Sequence, residues 1–156
     1  HGSMFVTAHF HYTLMGAGLT GAIASLIYWF PKMTGKMINK RLSWIAFWLT
    51  QIGFNVAFMG MFFVGLQGQP RRVEAYAAIF NQGNLITTIG AYTIMIGMLI
   101  LLHAVISSWR SGVKAPMNPW QAKTLEWTVA NPVPLENFEV LPVVTSDAYG
   151  YGKASS

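Results

Sequence analysis

The chain has 156 residues, of which 53% are hydrophobic and 10% charged, and this composition with a mean hydropathy of +0.41 excludes an ordinary soluble domain and favours one integral membrane domain. The net charge of +5 does not indicate nucleic-acid binding, because the cations flank apolar stretches and form no basic face with interleaved aromatic residues. The absence of cysteine excludes disulfides, thiolate-bound zinc and iron–sulfur clusters, so any metal must use histidine or oxygen ligands.

The first predicted element is a membrane-spanning helix over residues 4–30. No charged residue occurs between His11 and Lys32, and about 20 residues of helix cross a hydrocarbon core of ~30 Å. A stripe of small residues predicts close packing on a neighbouring helix inside a bundle. The stripe consists of Gly16, Ala17, Gly18, Gly21, Ala22 and Ala24. We expect Pro31 to end the helix.

Two histidines one residue apart, His9 and His11, lie at the head of this span. A helix advances roughly 100° per residue, so the two imidazoles are expected roughly 200° apart, on nearly opposite faces. They cannot easily bind the same ion. If both bind metal, the helix separates two metal centres, with Phe10 between them. A lone histidine in an apolar helix is more often a hydrogen-bonded core residue, but ionisable residues in a membrane span are costly and usually functional.

The second predicted span covers residues 42–66 and follows a loop with four cations and no acid. By the positive-inside rule this loop faces the cytoplasm, or the matrix in an organelle. Gln51 and Asn55 are four residues apart, so they share a helix face, where we expect hydrogen bonds to another helix.

The connection to the third span contains two adjacent arginines, Arg71 and Arg72, and a single acid, Glu74. Glu74 can balance the charge of only one arginine, so we expect a further anion, either lipid phosphate or a bound group, to balance the other. The third span covers residues 85–109. His103, toward its inner end, has no ligand-spaced partner in the sequence and is interpreted as structural or interfacial.

Residues 111–156 form a polar tail that holds five of the seven prolines and four of the five acids. We expect an inner-side surface extension without an independent core. The alternating apolar residues Phe138, Val140 and Leu141 predict that it lies along a partner. The predicted organisation is thus three transmembrane helices in residues 1–110, followed by the tail.

Three spans with the first loop inside place the N-terminus outside and the tail inside. His9 and His11 then converge with Arg71 and Arg72 on the outer membrane face. Buried imidazoles with arginines toward water suit a large apolar ring that bears carboxylates at one edge, which is a haem. Two opposed histidines then imply two haems.

This pattern strongly resembles the C-terminal part of the main catalytic subunit of the haem-copper terminal oxidases, the superfamily of cytochrome c and quinol oxidases. The matching pieces occur in the family's order and at its spacing along nearly the whole chain. They are His9-Phe10-His11-Tyr12; Trp29-Phe30-Pro31 with Thr34-Gly35; Asn55; Gly65-Leu66, Gly68 and Pro70-Arg71-Arg72; Tyr76; Asn84; Ile89-Gly90; and Leu125-Glu126-Trp127 with Pro132 to Phe138.

The resemblance implies an all-α integral membrane fold in which these are the last three helices of a twelve-helix bundle. His9 would be the axial ligand of the high-spin haem at the dioxygen site, and His11 an axial ligand of the low-spin haem that feeds it. Arg71 and Arg72 would bind the haem propionates, and Phe10 would lie between the haems. We expect a-type haems, although the sequence leaves the a, b and o types open.

The chain departs from the family pattern at its start. His1 occupies the histidine position of a His-Asp pair that touches a magnesium ion and the propionate region, but Gly2 replaces the aspartate. This departure argues against a family-style magnesium site, and His1 is kept as a candidate for the magnesium or propionate region. His1-Gly2-Ser3-Met4 also has the sequence of an affinity-tag remnant. The acidic turn after the arginines is reduced to Tyr76-Ala77-Ala78.

Copper ligands, the other low-spin haem ligand and the entries of the proton channels belong to helices outside this chain. We therefore expect the fragment alone to be inactive. Its expected partners are the remaining helices or another half of the same subunit, the electron-accepting subunit, a cytochrome c or quinol donor, and membrane lipid. We prefer a bacterial plasma membrane to a mitochondrial inner membrane.

Three alternatives remain at the level of sequence. A nitric oxide reductase of the same superfamily also carries paired histidines. A transporter or channel component would use Gln51, Asn55 and the small-residue stripe to line a path, although no intramembrane acid or broken helix supports this interpretation. In a structural accessory subunit the histidines would be incidental.

Overall fold

The computed structural model describes residues 1–138, 140–143, 147 and 149–150, and among these there are helices and turns but no β-strand. Three helices are long and apolar enough to cross a membrane. They are α1 (Met4–Thr34), α2 (Lys40–Leu66) and α3 (Asn81–Ser111), with short 3-10 turns at Ala78–Phe80 and Leu125–Thr128. The prediction of an all-α membrane protein with three spans is confirmed.

Helix α1 changes its winding along its length. Met4–Phe10 and Thr20–Thr34 are α-helical, whereas His11–Leu19 between them is wound as a π-helix. The helix begins after Ser3, whose Oγ accepts the Phe5 N–H at 3.3 Å. π-Helical turns are rare and concentrate at functional sites. The wider turn here begins at the second histidine of the predicted pair.

The end of α1 differs from the prediction, because the helix continues through Pro31 to Thr34. A proline removes its own N–H as a donor but leaves its carbonyl free to accept. The Pro31 carbonyl accepts the Gly35 N–H at 2.8 Å. Gly35 has φ +70°, the left-handed conformation that commonly ends helices. The expectation that Pro31 ends the helix is therefore wrong, and Gly35 ends it instead.

The chain forms two compact units. The first comprises His1–Ser25 and Lys40–Ala104, and the second comprises Leu26–Asn39 with the described residues from Val105 onward. In the first unit α2 and α3 approach at glycines: a Cβ on Gly90 would lie 2.7 Å from the Ala57 Cα. Such close approach is how helices associate in lipid. The core of this unit contains Phe54, Ala57 and Phe58, with Tyr12, Met15, Met61 and Ile94 packed against them.

The second unit contains a buried tryptophan that ties the tail to the end of α1. Trp127 is 1% exposed, and its Nε1 donates to the Tyr28 hydroxyl at 2.7 Å. Lys32 Nζ donates to the Val129 carbonyl at 2.6 Å and lies 4.9 Å from the centroid of the Trp127 ring. This part of the tail is therefore packed on the end of α1 through Trp127, and the expectation of an extension without an independent core stays a prediction.

The apolar residues that were expected to contact a partner lie further along the tail. Val140 and Leu141 are exposed, and Phe138 is half-buried. Their expected contact with a partner stays a prediction.

Candidate functional site

The start of α1 and the arginine loop lie side by side in the first unit. Met4 N–H donates to the Gln69 carbonyl, and Arg71 N–H donates to the Gly2 carbonyl, each at 2.9 Å. A rise of about 1.5 Å per residue puts the two histidines roughly 7 and 10 Å along the helix axis from Met4. The structure thus brings the predicted histidines and arginines to one end of this unit.

The start of α3 joins the same end. The side chain of Asn84 donates to Gln69 Oε1 at 3.0 Å, and Gln69 Nε2 donates back to Asn84 Oδ1 at 3.3 Å. Gln69 is 4% exposed, so this reciprocal pair satisfies an amide that would otherwise be buried without partners. The loop that carries the arginines is therefore held by two helices.

His11 is held in one tautomer by its own helix. Its Nδ1 donates to the Thr7 carbonyl at 2.7 Å, and a carbonyl oxygen can only accept. The lone pair is consequently on Nε2, which has no hydrogen-bond partner among the described residues. Metal-binding histidines commonly donate their other ring nitrogen to a carbonyl in this way. The His11 ring is therefore prepared to bind a metal through Nε2.

Aromatic rings cover the faces of the His11 imidazole without competing for its lone pair. The ring stacks on Phe58 with centroids 4.5 Å apart and planes at 19°, and the Phe10 ring lies 4.4 Å away at 30°. A metal binds in the plane of the imidazole, so stacking on its face leaves coordination open. Phe58 is 5% exposed, which gives His11 an apolar surrounding that strengthens electrostatic interactions.

His9 has a different surrounding from His11. Its side chain is exposed, and within the described part of the chain no hydrogen bond or ring contact of its imidazole occurs. Phe10 is 39% exposed. The two histidines therefore face separate environments, as the helical periodicity predicts.

The two arginines lack an acidic partner within the described residues. Arg71 is half-buried and Arg72 is exposed. Arg72 has φ +61°, a conformation that L-residues other than asparagine and aspartate rarely adopt and that recurs at ligand-binding loops. Two guanidinium groups without a carboxylate suit an external anion, and the planar guanidinium binds carboxylates through two parallel hydrogen bonds.

These residues fit a haem better than a metal held by protein alone. In the part of the chain that the structure describes, no three His, Asp or Glu side chains group to hold a metal ion. A haem iron is bound mainly by its porphyrin, so a single imidazole from this chain would be enough to hold each one, and a haem carries carboxylates for arginines to bind. His1 is exposed and stands apart as a weak candidate.

The polar contact predicted for α2 is present at Asn55. The Tyr12 hydroxyl donates to Asn55 Oδ1 at 2.9 Å, which joins α1 to α2. The prediction that this face hydrogen-bonds another helix is confirmed for Asn55. His103 lies exposed on α3, and the structure does not bring it to the histidine pair.

Two residues of the site were missed at the level of sequence. Thr7 lies four residues before His11, and that spacing on a helix was the available signal for a carbonyl partner. Phe58 has no such signal, because its contact with His11 depends on how α1 and α2 pack.

A family model and the similar curated proteins point to the same family. The model of the family "Cytochrome C and Quinol oxidase polypeptide I" matches residues 1–93. Three cytochrome c oxidase subunits 1 are similar to the chain: that of Thermostichus vulcanus is 47% identical over 97% of the chain, that of a Synechocystis species 42% over 97%, and that of a Bacillus species 44% over 92%. The chain spans 24–28% of the length of these relatives.

Proposed function

The chain belongs to the cytochrome c and quinol oxidase polypeptide I family, and from this we propose that it forms part of the catalytic subunit of a terminal oxidase. The whole subunit reduces dioxygen to water with coupled proton translocation, with cytochrome c as the electron donor. The names of the similar proteins, all cytochrome c oxidase subunits 1, support this donor over quinol. They also favour an oxidase over a nitric oxide reductase, a transporter or an accessory subunit.

In this function His11 binds the iron of a low-spin haem through Nε2, and His9 binds the iron of a high-spin haem. The single observation that supports the proposal is the bond from His11 Nδ1 to the Thr7 carbonyl, which leaves Nε2 available to bind a metal. Bound haems supply the electron transfer and dioxygen chemistry, which no side chain of this chain provides.

The remaining residues of the site hold and shield these ligands. Arg71 and Arg72 bind haem propionates through their guanidinium groups, which the absence of a carboxylate partner among the described residues supports. Phe10 separates the two ligand environments, and Phe58 covers one face of the His11 ring. Helices outside this chain supply the copper ligands. His1 is kept as a candidate contact to a magnesium ion or to the haem propionates.

We further propose the orientation of the chain in a bacterial plasma membrane. The loop between α1 and α2 carries cations without an acid, so it faces the cytoplasm. The N-terminus and the arginine loop are then outside, and the tail is inside. Other oxidase subunits, including the one that accepts electrons, complete the assembly.

The test is a change of each ligand in the complete oxidase. His11→Ala should remove the low-spin haem band from the reduced-minus-oxidised absorption spectrum, and His9→Ala should remove ligand binding at the high-spin haem. His103→Ala is the matched control, since it deletes another histidine of the same chain and should leave both signals intact. Retention of the low-spin band in His11→Ala would refute the assignment of that ligand.

A further inference from the structure

A directional contact between α1 and α2 lies one residue after the proposed low-spin ligand. The Tyr12 hydroxyl donates to Asn55 Oδ1 at 2.9 Å. Asn55 Nδ2 in turn donates to the Gln51 carbonyl of its own helix at 2.9 Å. Because the amide uses its nitrogen and its oxygen at once, its orientation is fixed, and the oxygen is presented to Tyr12.

The ring of Tyr12 is also confined. It makes an edge-on contact with Phe54 at a centroid distance of 4.8 Å and 72°, and it lies 5.6 Å from the Phe62 ring. Phe54 is 6% exposed and belongs to the core of this unit. Tyr12 therefore cannot change rotamer without disturbing the packing between the two helices.

The winding of α1 makes this contact important for His11. The π-helical stretch begins at His11 and includes Tyr12. The His11 N–H still donates to the Thr7 and Ala8 carbonyls, so the wider winding follows directly after the ligand, at Tyr12. The bond from His11 to Thr7 lies within α1 and orients the ring only with respect to its own helix. Stacking on Phe58 fixes the plane of the ring but allows it to slide.

We propose that Asn55 is a positioning residue for His11 and that it acts through the hydroxyl of Tyr12. The inference rests on the proposed function, since it concerns the coordination of the low-spin haem by His11. The Tyr12–Asn55 bond sets the rotation of α1 about its axis at this level, and thereby sets the direction from which Nε2 reaches the metal. Neither residue touches the iron.

The experiment uses the complete oxidase with Tyr12→Phe, Asn55→Leu and the double variant. Each single variant should shift the low-spin haem band and change the reduction equilibrium constant of that haem by about threefold, which is ~30 mV for one electron. The modest size follows from the small contribution of hydrogen bonds between helices in membranes. Because both residues act through one bond, the double variant should shift no further than either single variant.

The matched control is Gln51→Leu, one turn earlier on the same face. It removes a polar side chain but keeps the backbone carbonyl that Asn55 uses, so the band should not move. The carbon monoxide difference spectrum, which reports on the His9 side, should be unchanged in every variant. If Asn55→Leu does not assemble, Tyr12→Phe alone decides, because it deletes one hydroxyl and keeps the ring.

The outcomes separate this inference from the proposed function. If His11→Ala removes the low-spin band but Tyr12→Phe leaves its position and midpoint potential unchanged, the positioning role of Asn55 is wrong and the haem assignment stands. An equal shift of the absorption bands of both haems would also overturn the positioning role, since such a shift would show a general disturbance of the helices. If His11→Ala leaves the low-spin band in place, the haem assignment itself fails.

Discussion

The two units of the chain are stabilised by different contacts. In the first unit, helices meet where side chains are absent, and a Cβ on Gly53 would lie 2.7 Å from the Ile94 nitrogen. In the second unit, a buried lysine and a buried tryptophan donate hydrogen bonds to oxygens of distant residues. In lipid no hydrophobic effect drives helices together, so close steric fit stabilises their contact. The chain around Trp127 is not helical over its length, so its backbone carbonyls need hydrogen-bond donors from elsewhere.

The difference predicts which substitutions each unit tolerates. A single added methyl group should be costly where α2 and α3 meet in the first unit, because their backbones leave no room for it. Loss of one partner of these hydrogen bonds should be costly in the second unit, because a buried polar group would be left unpaired. Three destabilising substitutions test this contrast, taken from the largest expected effect to the smallest, and Gly18→Ala is a matched comparison for the first of them.

Gly90→Ala should have the largest effect, a destabilisation of about 3 kcal/mol, at the upper end of the cost of overpacking. The new Cβ would lie 2.7 Å from the Ala57 Cα and 2.8 Å from its Cβ, and backbone cannot move aside as a flexible side chain can. The measurement is the thermal midpoint for loss of helical circular dichroism in the assembled oxidase. An unchanged midpoint would contradict steric fit as the basis of the α2–α3 contact.

Gly18→Ala is the matched comparison on α1. A Cβ at Gly18 meets nothing within 4 Å among the described residues, and alanine favours a helix over glycine by up to about 1 kcal/mol. We therefore expect no loss of stability from contacts within the described chain. A cost equal to that of Gly90→Ala would instead show another helix of the subunit packed on the small-residue stripe, as the sequence predicts.

The parts of the fold that were predictable from sequence depend on local pattern. Long uncharged stretches gave the three spans, and the 3.6-residue period placed His9 and His11 in separate environments. Helix order then brought Arg71 toward the same end as the histidines, because consecutive spans alternate direction. The four-residue spacing of Gln51 and Asn55 also indicated the contact that Asn55 makes.

The parts that sequence did not reveal depend on contacts between distant residues. From its sequence position Lys32 was assigned to a loop. The Val129 carbonyl to which it donates is 97 residues away in sequence, so local pattern could not reveal the contact. Pro31 suggests the end of a helix, yet the Gly35 N–H finds the Pro31 carbonyl and the helix ends later. The glycines of α1 suggested a packing stripe on that helix, while the close backbone contacts among the described residues occur at glycines of α2 and α3, such as Gly65 against Phe5 and Gly90 against Ala57.

Lys32→Met should destabilise the second unit by about 2 kcal/mol, within the range for hydrogen bonds to charged groups. Methionine fills much of the same volume but cannot donate to the Val129 carbonyl or place a cation over Trp127. Hydrogen–deuterium exchange of residues 115–133 should rise, while exchange in α2 stays unchanged. Lys123→Met, at an exposed position, is the control. Equal protection in both variants would show that this lysine does not hold the tail.

Tyr28→Phe should have the smallest of the three destabilising effects, about 1 kcal/mol, because it deletes one oxygen and keeps the ring. That oxygen accepts the Trp127 Nε1–H at 2.7 Å, whereas the Trp120 Nε1–H donates to the Tyr28 backbone carbonyl at 2.9 Å and is unaffected. The two indoles therefore provide an internal comparison: only the Trp127 Nε1–H should exchange faster with deuterium. Faster exchange at both indoles would mean that the tail docks on the Tyr28 ring as a whole rather than through its hydroxyl.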